Sequence, residues 1–234
     1  MATTRIFLVR HGSTVLSAED RFAGSTDVEL SEEGRAQAAR LAERLASEDL
    51  AAVYASPMGR TRETAAILAA SHRLEVQTRD GLREIDHGRW EQMTRSEVEN
   101  RYPEEYAAWE ADPFTFAPEG GEAGIAVMAR ALPVLREIVI GHPGKKVVVV
   151  SHKATIRLVI SSFLGIDERG YRDRLDQSPA SLNILDFKDP VRARLMLFND
   201  VSHYAGYATS PKSRLSKWWD ADDKPPAPDA DRAR

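Results

Sequence analysis

The sequence predicts an α/β domain built on a mainly parallel sheet with helices on both faces, and three observations carry that expectation. Short, continuously apolar runs at 6–9, 50–55 and 147–150 alternate along the chain with segments of helical period. The runs lack the polar alternation of strands with one wet face, so they read as strands buried on both sides. Two of them end in the same way, one at Arg10-His11-Gly12 and the other at Ser151-His152. Ligands of open α/β sheets gather at the carboxyl ends of the strands.

Taken in order, the first strand delivers Arg10 and His11 to a turn. Residues 13–27 follow as a polar loop with Arg21 and Gly24, suited to binding groups as well as to a solvated connection. Ser31 reads as an N-cap with Glu32 and Glu33 in the first turn, and Ala38, Leu41, Ala42 and Leu45 then recur at helical spacing. That helix is expected to do no more than pack. After the 50–55 strand, Ser56-Pro57 reads as an N-cap with an N1 proline, which would set Arg60 in the first turns of a helix. A cation is unfavourable beside the positive end of a helix dipole, so Arg60 makes sense if an anion binds there.

Residues 74–78 suit an edge strand. The following stretch alternates ionisable groups, Arg83, Glu84, Asp86, His87 and Arg89, with Leu82, Ile85 and Trp90. A carboxylate partly desolvated beside Trp90 or Ile85 would have the raised pKa of a general acid, although a salt-bridged loop tethered by Trp90 has the same local pattern. Residues 94–111 are helical but interrupted at Pro103, and Tyr102, Tyr106 and Trp109 suit core or lid packing. Residues 113–124 are turn-rich. Residues 126–140 suit a helix despite Pro133, with His142 expected as an exposed loop residue. After the 147–150 strand, 154–164 reads as a helix closed by Gly165, and 181–187 with 193–199 as a hairpin. The domain is assigned to residues 1–208. Residues 209–234 are polar and rich in Pro and Asp, and are expected to form a flexible tail on which Trp218-Trp219 could dock.

Composition excludes several classes. The chain of 234 residues has 32 Lys and Arg against 36 Asp and Glu, a net charge of -4, so nucleic acid is not an expected partner. There is no cysteine, which removes disulfides, thiolate chemistry and cysteine-based zinc sites. Residues 1–4 lead almost directly into an apolar run, leaving nothing like a signal peptide, and no run approaches membrane-spanning length. The expectation is a soluble, cytoplasmic protein. Oligomeric state is not legible, and a homodimer stays open.

The candidate site unites Arg10, His11, Arg60 and His152, with Glu84 as the best-placed acid. Neighbouring strands lie about 4.8 Å apart, so paired strands would let both imidazoles reach one small anion. Arginine forks suit phosphate oxygens, and two beside two imidazoles make a strongly cationic pocket for a phosphoryl group. Phosphoryl transfer depends on positioning and charge neutralisation, which this set can supply without a metal, and no clustered metal ligands are legible. Without cysteine the nucleophile is a histidine or an activated water. His11 is the better candidate because Gly12 lets the backbone approach a phosphate closely. His152 then stabilises charge on the transferring group.

Arg10-His11-Gly12-Ser13-Thr14 resembles the signature of the histidine phosphatase superfamily, also called the phosphoglycerate mutase-like family. Further blocks match it in order: Arg21-Phe22-Ala23-Gly24 with Asp27 and Leu30-Ser31-Glu32-Glu33-Gly34, Ser56-Pro57 with Arg60 and Thr64-Ala65, Leu82-Arg83-Glu84 with Gly88 and Trp90-Glu91, and Val150-Ser151-His152 with Ile156-Arg157. The resemblance spans roughly residues 5–205. It implies a three-layer α/β/α sandwich, His11 as the phosphorylated nucleophile, Arg10, Arg60 and His152 around the phosphate, and Glu84 as proton donor and later base. It ranks Glu84 above Asp86, which residue chemistry alone does not. No cofactor is expected.

Departures from the family pattern concern the substrate. Ser17 stands where the family often has Asn as a phosphate contact, Ala23 where a polar residue is common, Lys153-Ala154 where many members have Gly-Gly, and Gln92 where Gly often follows Trp-Glu. Lys153 is expected to add a cation near the pocket mouth. The phosphoglycerate mutases of the family carry a longer segment between the acid and the second histidine, so the resemblance, with a comparatively compact interval from Glu84 to His152, implies water as acceptor. Ile85-Asp86-His87-Gly88, Tyr102-Pro103-Glu104 and Gly120-Gly121-Glu122 resemble the metal-independent phosphoserine phosphatases, in which the equivalent of His87 helps select the substrate. Ribazole phosphatases and sugar-phosphate phosphatases are close competitors, and His203 is a further candidate at the pocket. A small phosphorylated metabolite is the expected substrate. The alternatives are a phosphoglycerate mutase or bisphosphatase, and a binding module for phospho-ligands without turnover.

Overall fold

The computed structural model describes residues 2–15 and 21–204. Six strands, β1 (Thr4–Arg10), β2 (Leu50–Ala55), β3 (Val76–Thr78), β4 (Lys146–Ser151), β5 (Leu182–Phe187) and β6 (Ala193–Asp200), form one sheet in the order β3-β2-β4-β1-β5-β6. The pairings β2–β3, β2–β4 and β1–β4 are parallel, while β1–β5 and β5–β6 are antiparallel. The sheet is therefore mixed: a four-stranded parallel part extended by an antiparallel hairpin.

Period-two alternation along β1 divides its side chains between two cores. Ile6 and Leu8 join Val147, Val149 and residues of α5 (Gly124–Gly141) and α6 (Lys153–Leu164) on one face. Phe7 and Val9 join Val148, Val150 and residues of α1 (Glu32–Leu45) and α2 (Gly59–Ala70) on the other. With each such side chain contributing about 1.5–3 kcal/mol on burial, both faces have to be covered, and three α/β/α layers result.

Ser31 caps α1 as its sequence suggests, its side chain accepting from the Gly34 N–H. The stretch 94–111 folds as two helices, α3 (Arg95–Arg101) and α4 (Pro103–Ala111), divided where Pro103 occupies the first turn of the second. Thr94 and Glu97 form a reciprocal capping box at the start of α3. These helices bring Val98, Tyr106 and Trp109 onto Phe22 and Trp90 in a separate apolar cluster beside the sheet edge.

Two expectations change. The helix after β2 begins at Gly59, with Met58 rather than Ser56 at the cap position. The Ser56 hydroxyl instead lies 2.8 Å from His152 Nε2, and the Asp27 carboxylate accepts from the Gly59 N–H at 2.9 Å. His142 is half-buried, with Nδ1 3.0 Å from the Ile138 carbonyl and its ring edge-on to Tyr54. A short helix at α7 (Tyr171–Arg174) has no clear periodic signal and buries Tyr171 and Arg172. The boundary at 208, the 209–234 tail and Ser17 lie outside the described residues. Among the described residues, no helix is long and apolar enough to cross a membrane.

Candidate active site

β1 and β4 are adjacent and parallel, with Arg10 in register with Ser151, so His11 and His152 leave the sheet at the same height. The His11 N–H donates to the Ser151 carbonyl at 3.1 Å, and the two imidazoles are 5.2 Å apart between centroids. His11 Nδ1 is 2.8 Å from the Gly12 carbonyl. A carbonyl can only accept, so Nδ1 carries the hydrogen and Nε2 keeps its lone pair. Both rings are almost wholly buried, His11 at 6% exposure and His152 at 0%. Burial, followed by Arg60 and Arg10, holds His11 well below the usual histidine range; burial, followed by Arg60, His11 and Arg10, does the same to His152.

Gly12 also has a reason within the fold itself. A Cβ there would lie 2.4 Å from the Gly34 carbonyl oxygen, so glycine is required where the strand end crosses the first turn of α1. Its N–H donates to Thr64 Oγ1 at 3.2 Å, which ties the turn to α2.

Both arginines act on the two histidines. Arg10 donates to the Gln177 carbonyl at 2.6 Å, and burial pushes its guanidinium down to about 10, still cationic at neutral pH. Arg60, 1% exposed, donates to the carbonyls of Thr26 at 2.7 Å and Gly24 at 2.9 Å. Neither has a carboxylate within ion-pair distance among the described residues, and Arg10 Nε, Arg60 Nε and His152 Nδ1 are buried without a hydrogen-bond partner there. Buried cations without a counter-charge are costly. The acid that the α2 terminus calls for is Asp27, so the anion argued from the helix dipole is a side chain of the protein itself.

The loop under Arg60 is organised by Glu91, which accepts from the Ser25 N–H at 2.5 Å, the Ser25 hydroxyl at 2.9 Å and the Thr26 hydroxyl. Gly24 has a positive φ of 37°, and a Cβ there would run into the Glu91 carboxylate.

Glu84 stands at the first turn of α6 rather than beside Trp90. Its carboxylate accepts from the N–H groups of Ile85 at 3.0 Å, Ala154 at 3.1 Å and Thr155 at 3.1 Å, and from the Thr155 hydroxyl at 3.2 Å. This brings it to the residues immediately following His152. Asp86 is used otherwise, accepting from the Gly88 N–H at 2.7 Å within its own turn. Trp90 belongs to the aromatic cluster with Phe22 and Trp109.

The substrate-side candidates divide. His87 lies against Phe22, with ring centroids 4.7 Å apart, and burial lowers its pKa. Ala23 is the next residue along, its carbonyl accepting from Thr26. Lys153 Nζ is 3.8 Å from Asp176, which Arg157 also reaches at 3.2 Å. His203 lies against Tyr204, with ring centroids 4.9 Å apart, and near Arg44, Asp200 and the Ala180 backbone, whose N–H donates to the His11 carbonyl at 3.0 Å; burial followed by Arg44 pushes its pKa down to about 4. Asp27, Gln177 and Arg130 are site partners that sequence reasoning missed. Asp27, Glu91 and Glu122 do fall inside the quoted sequence blocks, which was the available signal. Among the described residues no group of three or more His, Asp or Glu side chains could hold a metal ion.

Comparison with known proteins agrees with this geometry. A family model described as the histidine phosphatase superfamily (branch 1) matches residues 6–201. Phosphoserine phosphatase 1 of Hydrogenobacter thermophilus is 38% identical over 163 residues, covering 70% of this chain and 77% of that protein. The glucosyl-3-phosphoglycerate phosphatase of Mycobacterium tuberculosis is 33% identical over 172 residues, again 70% and 77%. Among solved structures, Bacillus stearothermophilus YhfR superposes with a TM-score of 0.80 at 32% identity, covering 86% of this chain and 98% of that one. With its two strand-end histidines, its buried arginines and a match over nearly all described residues, the chain belongs to the histidine phosphatase superfamily, branch 1.

Proposed function

We propose that the chain is a metal-independent phosphomonoesterase that hydrolyses a small phosphorylated metabolite through a phosphohistidine at His11. The observation that carries this reading is the pairing of two buried arginines, without a carboxylate partner among the described residues, with an imidazole whose Nε2 keeps its lone pair. A phosphate dianion is the counter-charge such a pocket lacks.

In the proposed cycle the phosphoryl oxygens lie against Arg10, Arg60 and His152, which neutralise the charge that spreads over them in the transition state. His11 Nε2 attacks phosphorus, the N–P bond forms, and the bond from phosphorus to the alcohol oxygen breaks in line. The Glu84 carboxyl gives its proton to that oxygen. The resulting carboxylate then takes a proton from water, whose oxygen attacks phospho-His11, returning the free imidazole and inorganic phosphate. The lowered pKa of His11 favours this cycle, because the neutral ring is the nucleophile.

The names of the relatives, a phosphoserine phosphatase and a glucosyl-3-phosphoglycerate phosphatase, support a small metabolite as substrate. Phosphoserine, a sugar phosphate and ribazole phosphate are the candidates. Ala23, His87 and Lys153 are the residues we assign to selection, with Ser17 as a further phosphate contact and His203, beside Tyr204, as the outermost candidate. A cytoplasmic location belongs to the same reading. Hydrolysis of p-nitrophenyl phosphate tests it: His11→Ala abolishes activity and EDTA leaves it unchanged. Full activity in the variant overturns the mechanism, and dependence on added bisphosphoglycerate favours a mutase.

A further inference from the structure

We infer that Arg130, on α5, is the positioning residue for the acid Glu84, with Glu122 as its anchor. This rests on the role of Glu84 in the proposed cycle. The segment that carries Glu84 is neither helix nor strand at that residue, so its backbone carbonyls have no ladder to satisfy them. Side chains do so instead. Arg130 Nη1 donates to the carbonyls of Gly81 at 3.0 Å and Arg83 at 2.7 Å, and Nη2 to that of Glu84 at 2.9 Å. The Leu82 carbonyl accepts from the Ser151 hydroxyl at 2.8 Å, and the Arg83 carbonyl also from the Thr155 hydroxyl at 2.7 Å. Four consecutive carbonyls, at residues 81, 82, 83 and 84, are thus held by three side chains.

The remaining donors of Arg130 go to Glu122, Nε to Oε1 at 2.9 Å and Nη2 to Oε2 at 2.8 Å. All five N–H groups that a guanidinium possesses are therefore in use. Glu122 in turn accepts from the Asp86 N–H at 3.2 Å, and the Glu122 N–H donates to the Asp86 carbonyl at 2.8 Å, closing the frame on the far side of Glu84. Lysine offers three donors around a single atom and cannot span three carbonyls and a carboxylate at once. The contact is specific to arginine, and its geometry serves the one segment that delivers the acid.

A proton donor matters most when the leaving oxygen is strongly basic, so the test compares two substrates by kcat/KM, which reports the step that expels the alcohol. In Arg130→Lys, hydrolysis of phosphoserine or β-glycerophosphate falls about 100-fold while p-nitrophenyl phosphate loses less than about tenfold, the selective pattern of a weakened general acid. Glu122→Gln shows the same pattern at smaller size and supplies the readout independently of how Arg130→Lys folds. Competitive inhibition by inorganic phosphate stays within about threefold of the parent in both, because the phosphate pocket is untouched. Equal loss for both substrates, or loss of phosphate inhibition, overturns the inference in favour of a merely structural role. If Glu84→Gln itself shows no selectivity between the substrates, the role of Glu84 fails; if it does and neither Arg130→Lys nor Glu122→Gln follows, only the inference about Arg130 fails.

Discussion

The two halves of the site are held by different means. His11, His152 and Arg10 leave adjacent strand ends, and the parallel register of β1 and β4 sets their relative height with backbone hydrogen bonds alone. Arg60, in the first turn of α2, and Glu84, in a loop, are held through side chains that reach across the chain: Asp27 to the Gly59 N–H, Glu91 to the Ser25 N–H and the Thr26 hydroxyl, and Arg130 to the carbonyls of residues 81, 83 and 84. A strand inside a sheet is braced by two neighbours and two hydrophobic cores. A loop is braced only by what touches it, so distant substitutions should disturb Glu84 and the loop carbonyls that hold Arg60 while leaving the histidines in place.

The largest expected effect lies in the strand-borne half. His11→Ala lowers turnover by about 10⁴-fold or more on every substrate, basic leaving group or not, as loss of a nucleophile does. A parallel steady-state assay on p-nitrophenyl phosphate and phosphoserine would show residual activity that differs sharply between them if another group were the nucleophile.

In the loop-borne half, Glu84→Gln reduces kcat/KM for alkyl phosphates by about 10²- to 10⁴-fold. Effects this large confined to one substrate class separate the acid from the phosphate clamp. Glu91→Ala is expected to act on Arg60 instead, raising KM and the inhibition constant for phosphate roughly tenfold, the order of one or two lost buried hydrogen bonds. A selective loss on basic leaving groups in that variant would break the division between the two loop contacts.

The pH dependence sharpens the same contrast. Burial and the neighbouring arginines depress His11, so protonation that silences the nucleophile sets in only below the ordinary histidine value of about 6.5. The acidic limb of kcat/KM should therefore lie below that pH, and a limb above it would contradict the tautomer and burial described. The smallest effect is at His203. Its folded pKa of about 4 lies below the unfolded value of about 6.5, so its contribution to stability is full above 6.5 and is lost as pH falls towards 4. His203→Gln should leave kcat/KM within about twofold and flatten the acid loss of thermal stability in that window.

Legibility followed the same division. Strands β1, β2 and β4 were readable because burial on both faces leaves an unbroken apolar run, and His11 and His152 because each directly follows one. The α1 cap at Ser31 and the break at Pro103 were readable because their causes are local. The start of α2 was misjudged, since Ser56 has the right chemistry for a cap but is engaged by His152, and Asp27 does the capping from the preceding loop. The surroundings of Glu84 were misjudged for a similar reason: Trp90 is close in sequence, yet α6 supplies the contacts. The antiparallel hairpin was seen as a hairpin, but its place beside β1, which makes the sheet mixed, is not a local property.

By itself, then, the sequence determined which segments had to be buried, which residue types stood at the ends of two strands, and so a cationic site fit for a phosphoryl group. Hydrophobic period and local capping act over a few residues, and they are written in a few residues. The tertiary structure alone decided that Glu84 lies against the first turn of α6 while Asp86 turns back onto Gly88, that Asp27 occupies the α2 terminus, and that Arg130 holds the segment of Glu84. Those choices are made by contacts between residues 32 to 71 positions apart in the chain, where folding, not sequence spacing, sets the distance.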